Sequence, residues 1–341
     1  MQIANGRWRM VKPISDLRLP ISGLCALLFA LCTPAQAQQA TKIARIGFLS
    51  NNSLAAVSSW NEAFREGLRE LGYVEGKNIV IEYRFGEGKL DRLPAMVAEL
   101  VRLKVNVIVT GGPSATRAAK EASATIPIVM ATNTDPVGDG FVASLARPGG
   151  NITGLSTLAP EISGKRLEIL KEIVPRLSRV VVFETSTTPG TAQSLKETEL
   201  AAVAFGVKLN YLDIRAAKDI EQAFRAASEE RADAALTLDS AVFNSQRTQF
   251  VALAVKNRLA VIYHNSLFVE PGGLMSYGVN ITDLHRRAAT YVDKILKGAK
   301  PAGLPVEQPK KFEFIINLKA AKQIDLTIPP NVLARADRVI R

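Results

Sequence analysis

Short apolar runs alternate with amphipathic stretches of helical length along almost the whole chain, and this rhythm restricts the fold more than any other feature. Residues 43–49 have the make-up of a strand, and Trp60, Phe64, Leu68 and Leu71 then recur at helical spacing until Gly72 ends the pattern. Residues 78–83, 105–110 and 126–131 are expected strands, separated by helices over 90–103 and 114–122. Strands and helices in strict alternation imply a parallel sheet covered on both faces.

The segment 147–157 (RPGGNITGLST) interrupts the rhythm with Pro148, Gly149, Gly150 and Gly154, and reads as a crossing between domains. The alternation then restarts, with helices expected over 164–174, 193–205, 219–227 and 244–257. Strands are expected over 179–183, 207–212, 233–238, 259–263 and 273–279. A helix follows with Leu284, Ala288, Tyr291, Val292, Ile295 and Leu296 on one face. Pro301 and Pro305 mark another crossing before a strand at 311–317 and a helical tail. The expectation is an α/β protein of two lobes, each a parallel sheet flanked by helices, with a ligand cleft between them. Residues 41–155 plus 278–303 are expected to form the first lobe, and 156–277 plus 304–341 the second.

The first 37 residues have a different character. Arg7, Arg9, Lys12 and Arg18 form a basic start, residues 19–31 are almost wholly apolar or small, and Ala35-Gln36-Ala37 offers a cleavage site. That order is expected of a cleaved secretory signal peptide, which places the mature chain in the periplasm. Both cysteines, Cys25 and Cys32, lie inside this segment, so the mature chain has no disulfide and no thiol nucleophile. Cleavage also removes +3 of the formal +11 net charge. The remaining basic residues are scattered beside acidic ones, as at Glu168, Lys171 and Glu172, so a solvated surface is expected and a nucleic-acid partner is not.

In open parallel sheets ligands bind beyond the carboxyl ends of the strands. In the first lobe those ends carry Asn51 and Asn52, then Ser114 and Thr116 behind Gly111-Gly112-Pro113, then Asn133 and Asp135. In the second they carry Thr185 and Ser186, then Asp239 and Ser240, then His264. Tyr277, which is either an aromatic wall of the cleft or part of the hinge packing, joins these eleven as the twelfth candidate. Each short polar residue is equally suited to capping a helix. As a set, however, they offer N–H and O–H donors for a carboxylate, and Asp239 offers an acceptor for an ammonium group, the two poles of an amino acid. Ser114, at the start of a helix, is assigned to the carboxylate. His285 is expected on the solvated side of its helix. No HExxH, GxSxG or phosphate-binding loop occurs, so the sequence calls for no catalytic residue, metal or cofactor.

Several stretches carry a resemblance that spans essentially the whole mature chain. Residues 134–144 with 147–154 (TDPVGDGFVAS…RPGGNITG), 272–278 (GGLMSYG), 289–298 (ATYVDKILKG), 304–309 (LPVEQP), 312–321 (FEFIINLKAA) and 328–340 (IPPNVLARADRVI) resemble one family of ABC-importer substrate-binding proteins. That family includes tryptophan- and tyrosine-type binding proteins. The chain departs from it at Ser240, where the family often has Asn, and at Glu184-Thr185 in place of Asn-Pro. The resemblance implies a periplasmic-binding-protein-like fold that closes about a hinge on a small, amino-acid-like ligand. It also implies a monomer, partnered by an inner-membrane ABC permease and without catalysis. A periplasmic sensor feeding a kinase or chemoreceptor is the alternative with the same fold, and a secreted α/β enzyme is a third reading.

Overall fold

The computed structural model describes residues 43–341, so the expected signal peptide and its cleavage site lie outside the described residues. The chain begins with β1 (Ala44–Ser50), α1 (Ser58–Glu70), β2 (Ile79–Phe85), α2 (Leu93–Arg102), β3 (Val107–Gly111), α3 (Pro113–Ala122), β4 (Ile128–Thr132) and β5 (Ile152–Gly154). It continues through α4 (Ala159–Ile173), β6 (Arg179–Glu184), α5 (Thr191–Phe205), β7 (Lys208–Asp213), α6 (Ile220–Glu229) and β8 (Ala234–Thr237). Next come α7 (Ala241–Ser245), α8 (Arg247–Lys256), β9 (Ala260–Tyr263) and β10 (Met275–Val279). The last elements are α9 (Ile281–Leu296), β11 (Phe312–Asn317), α10 (Leu318–Gln323), α11 (Pro330–Leu333) and β12 (Arg338–Ile340).

Two sheets result. The first has the order β2-β1-β3-β4-β5 and is wholly parallel; the second has the order β12-β11-β10-β9-β8-β6-β7. Successive side chains on a strand point to opposite faces, so each sheet needs two covers. In the first, Ile46, Phe48, Val107 and Val109 meet α1 and α9, whereas Leu49, Ile108, Ile128 and Met130 meet α2 and α3. In the second, Val180, Val182, Leu236 and Ile262 meet α4, whereas Val181, Phe183, Ala235 and Val261 meet α6 and α8. The architecture is two parallel-sheet α/β lobes with flanking helices.

The chain passes between the lobes three times: from β5 to α4, from β10 to α9, and after α9 toward β11. The third passage runs beside the first, where Leu155 bridges Glu307 and Glu307 N–H donates to Gly154 O at 2.9 Å. This geometry corrects the expectation of an all-parallel second sheet. β10 leaves that sheet toward the first lobe and β11 enters it from there, so the pair must run antiparallel. Three further expectations are corrected. The segment read as an irregular crossing contains β5, whose three residues complete the first sheet beside β4. The helix expected over 244–257 is two helices, α7 and α8, broken at Gln246. The helical tail ends in β12, an outer strand parallel to β11.

His285 is also not at the surface. Helix α9 is covered on one side by the sheet and on another by α1, and His285 faces that second cover, 1% exposed and stacked on Trp60 at 5.4 Å. Burial holds its imidazole neutral, pushing its pKa down to about 4. Among the described residues no helix is long and apolar enough to cross a membrane.

The contact between α1 and α9 depends on Gly67. A Cβ there would stand 2.3 Å from the carbonyl oxygen of Arg286, a backbone atom that cannot swing away. In an open helix interior Gly→Ala gains about 1 kcal/mol in helix propensity. Gly67→Ala should instead cost roughly 1–3 kcal/mol, the range for overpacking. Urea unfolding measures the sign, and a stabilised variant would show that the two helices are not in this contact.

Candidate functional site

The carboxyl ends of both sheets face a common cleft. It has about 810 Å³ of empty space counted out to its mouth, of which about 60 Å³ admits the centre of a water molecule, so the lobes enclose a narrow slot. From the first lobe come Asn51 and Asn52 after β1, Ser114 at the start of α3, and Asn133 after β4. Gly112, at φ +129°, turns the chain from β3 into α3, and the first amides of that helix have no acceptor within it. Asn133 is 1% exposed, and among the described residues neither its Oδ1 nor its Nδ2 has a hydrogen-bond partner; Asn51 Oδ1 is likewise unpartnered. Buried amides are rarely left unpaired, because desolvating them costs roughly 1–3 kcal/mol. Trp60 supplies an aromatic wall, joined by Ile162, Leu238, Val279 and Ile281.

The second lobe contributes a connected polar network. The Thr237 hydroxyl oxygen accepts the backbone N–H of His264 at 3.1 Å and lies 2.9 Å from its Nδ1. The hydroxyl proton is therefore free to donate to Nδ1, which places the ring proton on Nε2. From there it reaches Asn244 Oδ1 at 3.2 Å and Asp239 Oδ1 at 3.4 Å. Burial first, and then the charge of Arg166, hold the His264 pKa well below the usual histidine range, so the imidazole is neutral. Asn244 also accepts from Asn265 Nδ2 at 3.0 Å and donates across the cleft to Asn52 Oδ1 at 3.2 Å.

Asp239 is the acid of this network. Its side chain is 37% accessible, but it lines the cleft, and protein surrounds it otherwise. Burial pushes its pKa up to about 6, against the opposing pull of Arg166, the Ser240 N–H and the Asn244 amide. Arg166, on α4, is fully enclosed; burial lowers its pKa to about 10, opposed by Asp239 and Tyr277. At neutral pH both side chains are therefore ionised, and the slot carries one cation and one anion. Among the described residues no group of three or more His, Cys, Asp or Glu side chains could hold a metal ion.

The family profile described as "ABC transporter substrate binding protein" matches residues 42–340. The chain belongs to this family. ABC transporter substrate-binding proteins bind small molecules and work with ABC permeases, and they are not catalysts. The chain is 26% identical over 272 residues to a tyrosine-binding protein of Clostridioides difficile (strain R20291), covering 78% of this chain and 76% of that protein. It is similar to a crystal structure of a conserved domain protein from Vibrio cholerae (TM-score 0.83, 29% identity, 87% of this chain and 100% of that one). It is also similar to an ABC domain from Streptococcus pneumonia in complex with L-Trp (TM-score 0.81, 26% identity, 87% of this chain and 99% of that one).

In this substrate-binding protein, six of the residues picked out at strand ends line the cleft: Asn51, Asn52, Ser114, Asn133, Asp239 and His264. The other six do not. Thr116 pairs with Thr110 and the Gly112 carbonyl, and Asp135 accepts from Gly138 N–H to close a turn. Thr185 and Ser240 bond each other at 2.7 Å, with Ser240 capping α7, and Ser186 bonds Asp213. Tyr277 packs against Phe312 and Phe314 beside the crossings. Sequence reasoning missed Arg166, Asn244 and the cleft position of Trp60. Arg166 had a legible signal: it lies on the apolar stripe of α4 between Ile162 and Leu170, each four residues away.

Because the Asp239 pKa is raised on folding, the native state holds its proton more tightly than the unfolded chain does. The Asp239 contribution to stability is fully present below the unfolded pKa near 4 and is lost as pH rises through about 6. Asp239→Asn removes that dependence. The ligand-free variant should therefore gain in melting temperature relative to the parent between pH 5 and pH 8, whatever the offset at pH 5. Parallel melting-temperature curves over this range would contradict the raised pKa.

Proposed function

We propose that this protein is the extracytoplasmic solute-binding component of an ABC importer, and that it captures an amino acid with an aromatic side chain between its lobes. The observation that carries this reading is the slot itself. The unpartnered buried amide of Asn133, the unpartnered Oδ1 of Asn51 and the open start of α3 line the same space as Asp239, walled by Trp60. The ligand carboxylate takes the Ser114 hydroxyl and the neighbouring amides, where the positive end of the helix favours an anion. The ammonium group takes Asp239, and the side chain lies along Trp60 and the aliphatic wall. The tyrosine-binding relative and the L-Trp complex support an aromatic ligand. The basic and apolar leader over residues 1–37 supports export to the periplasm. The chain acts as a monomer that presents its closed form to the permease.

Isothermal titration with L-tyrosine and L-tryptophan tests the reading. Asp239→Ala should weaken binding about tenfold or more, because it strips a charged ligand group of its buried partner, and Ser114→Ala should weaken it less. Binding of neither amino acid by the parent protein would overturn the aromatic assignment.

Capture rests on hinge closure, and the contacts between the lobes support it. Besides the Asn52–Asn244 bond, the Ser53 N–H lies 3.4 Å from Ser245 Oγ, and the Thr134 hydroxyl donates to Pro189 O at 3.1 Å. Gly190 precedes α5 at φ +82°, and a Cβ there would stand 2.1 Å from Thr134 Oγ1 in the opposite lobe. Gly190→Ala should therefore hold the lobes apart, with ligand affinity falling about tenfold. Part of any fall in ligand-free melting temperature belongs to the strained backbone. Small-angle scattering in saturating ligand separates the two effects: the variant should remain more extended than the parent. Equal compaction would show that this rim does not govern closure.

A further inference from the structure

Arg166 is a buried cation with no anion in direct contact among the described residues. It is 3% exposed, and its three hydrogen bonds go to neutral acceptors: Nε to Tyr277 O at 2.8 Å, Nη2 to His264 O at 3.3 Å and Nη1 to Ser163 Oγ at 3.5 Å. The acceptors come from β10, the end of β9 and α4 itself, so the guanidinium is fixed from three sides. It lines the cleft, and the carboxylate its field reaches is Asp239. Every other polar group on Asp239 is a neutral donor: the Ser240 N–H, the Asn244 amide and the His264 Nε2–H. The titratable groups of this cluster are thus Arg166, Asp239, His264 and, beside the guanidinium, Tyr277.

We infer that Arg166 is a positioning residue for the ammonium site, which fixes Asp239 as a carboxylate and His264 as a neutral imidazole so that the slot accepts a zwitterion. The inference rests on reading Asp239 as the ammonium partner. The physical reason is competition for one place. A ligand ammonium group and a proton both neutralise Asp239, and the anchored charge of Arg166 leads the Ser240 N–H and the Asn244 amide in keeping the empty, desolvated carboxylate stable at neutral pH. Without it a proton occupies Asp239, or the ring 3.4 Å away, and an incoming ammonium group must first displace it.

The decisive experiment needs no ligand. The carboxyl carbon of Asp239 is followed by NMR in protein labelled at aspartate and assigned by its loss in Asp239→Asn. In the parent it should titrate near 6. In Arg166→Gln the midpoint should rise by roughly 1–3 units, the usual effect of a neighbouring opposite charge. In Arg166→Lys, which keeps the charge but not the three-sided anchorage, it should stay near the parent value even if the melting temperature falls. An unchanged midpoint in Arg166→Gln, or a shift of equal size in both variants, would overturn the inference and leave Arg166 as a packing staple. If Arg166→Gln does not fold, Arg166→Met, which keeps the buried stem and removes the charge, takes its place and should raise the midpoint by the same roughly 1–3 units, an unchanged midpoint overturning the inference. The affinity for L-tyrosine across pH 5.5–9 is the functional counterpart. The ratio of Arg166→Gln to parent Kd should be larger at pH 6.5 than at pH 9, and a constant ratio counts against the inference. If the parent binds neither L-tyrosine nor L-tryptophan, the ligand reading fails, and the carboxyl titration still decides the role of Arg166.

Discussion

The burial of both faces of each sheet is the constraint from which the site follows. Ile46, Phe48, Val107 and Val109 on one side of the first sheet, and Leu49, Ile108 and Met130 on the other, make the middle of its central strands apolar. Buried polar side chains such as Asn51, Asn52, Asn133, His264 and Asn265 gather instead just past the strand ends, where the ladder stops and helices begin. All strands of the first sheet run the same way, so their carboxyl ends form one edge, and the three chain crossings hold that edge opposite its counterpart in the second lobe. The cleft is thus a consequence of topology.

That constraint explains what the sequence makes legible and what it hides. The βα order and the polar strand ends could be read from periodicity and turn chemistry, and six residues so chosen stand in the slot. Thr116, Thr185 and Ser240 are of the same chemical type but are spent on neighbouring hydroxyls and carbonyls: Thr116 on Thr110 and the Gly112 carbonyl, Thr185 on Ser240 and the Ile214 carbonyl. No one-dimensional pattern distinguishes a hydroxyl that meets its partner 55 residues away from one that meets a ligand. His285 was misread for a related reason. A helix wedged between a sheet and another helix buries two faces, and a single apolar stripe reveals one. The antiparallel placement of β11 depends on the side from which the chain re-enters the sheet, information carried by the third crossing and absent from β11 itself.

Arg166 and Asn244 sit inside helices rather than at strand ends, and only Arg166 carries a signal, its place on the apolar stripe of α4. Their contribution is to connect. Arg166 ties α4 to the middle of β10 and to the residue that follows β9, and Asn244 gathers His264, Asn265, Asp239 and, across the cleft, Asn52. A polar network that is fully satisfied in a poorly solvated place is rigid, because each member loses the cost of a buried unpaired group if it moves. The second-lobe wall is therefore a fixed surface, whereas the first-lobe wall carries the unsatisfied amides.

This asymmetry bears on how capture and closure are coupled under the proposed function. The direct bonds between the lobes, Asn52–Asn244, Thr134–Pro189 and the longer Ser53–Ser245, exchange with water on opening, and each has a net worth of about 0.5–1.5 kcal/mol. Closing an empty slot, by contrast, strands Asn133 and Asn51, at roughly 1–3 kcal/mol for each unpaired group. The two quantities are of similar size and opposite sign, so the rim contacts alone do not strongly favour the closed form. A ligand that pairs with the stranded amides removes the penalty and leaves the rim contacts uncompensated in favour of closure. Its differential affinity for the closed form then comes largely from polar groups that the empty cleft leaves unpaired, which is the condition for a ligand to shift a two-state equilibrium.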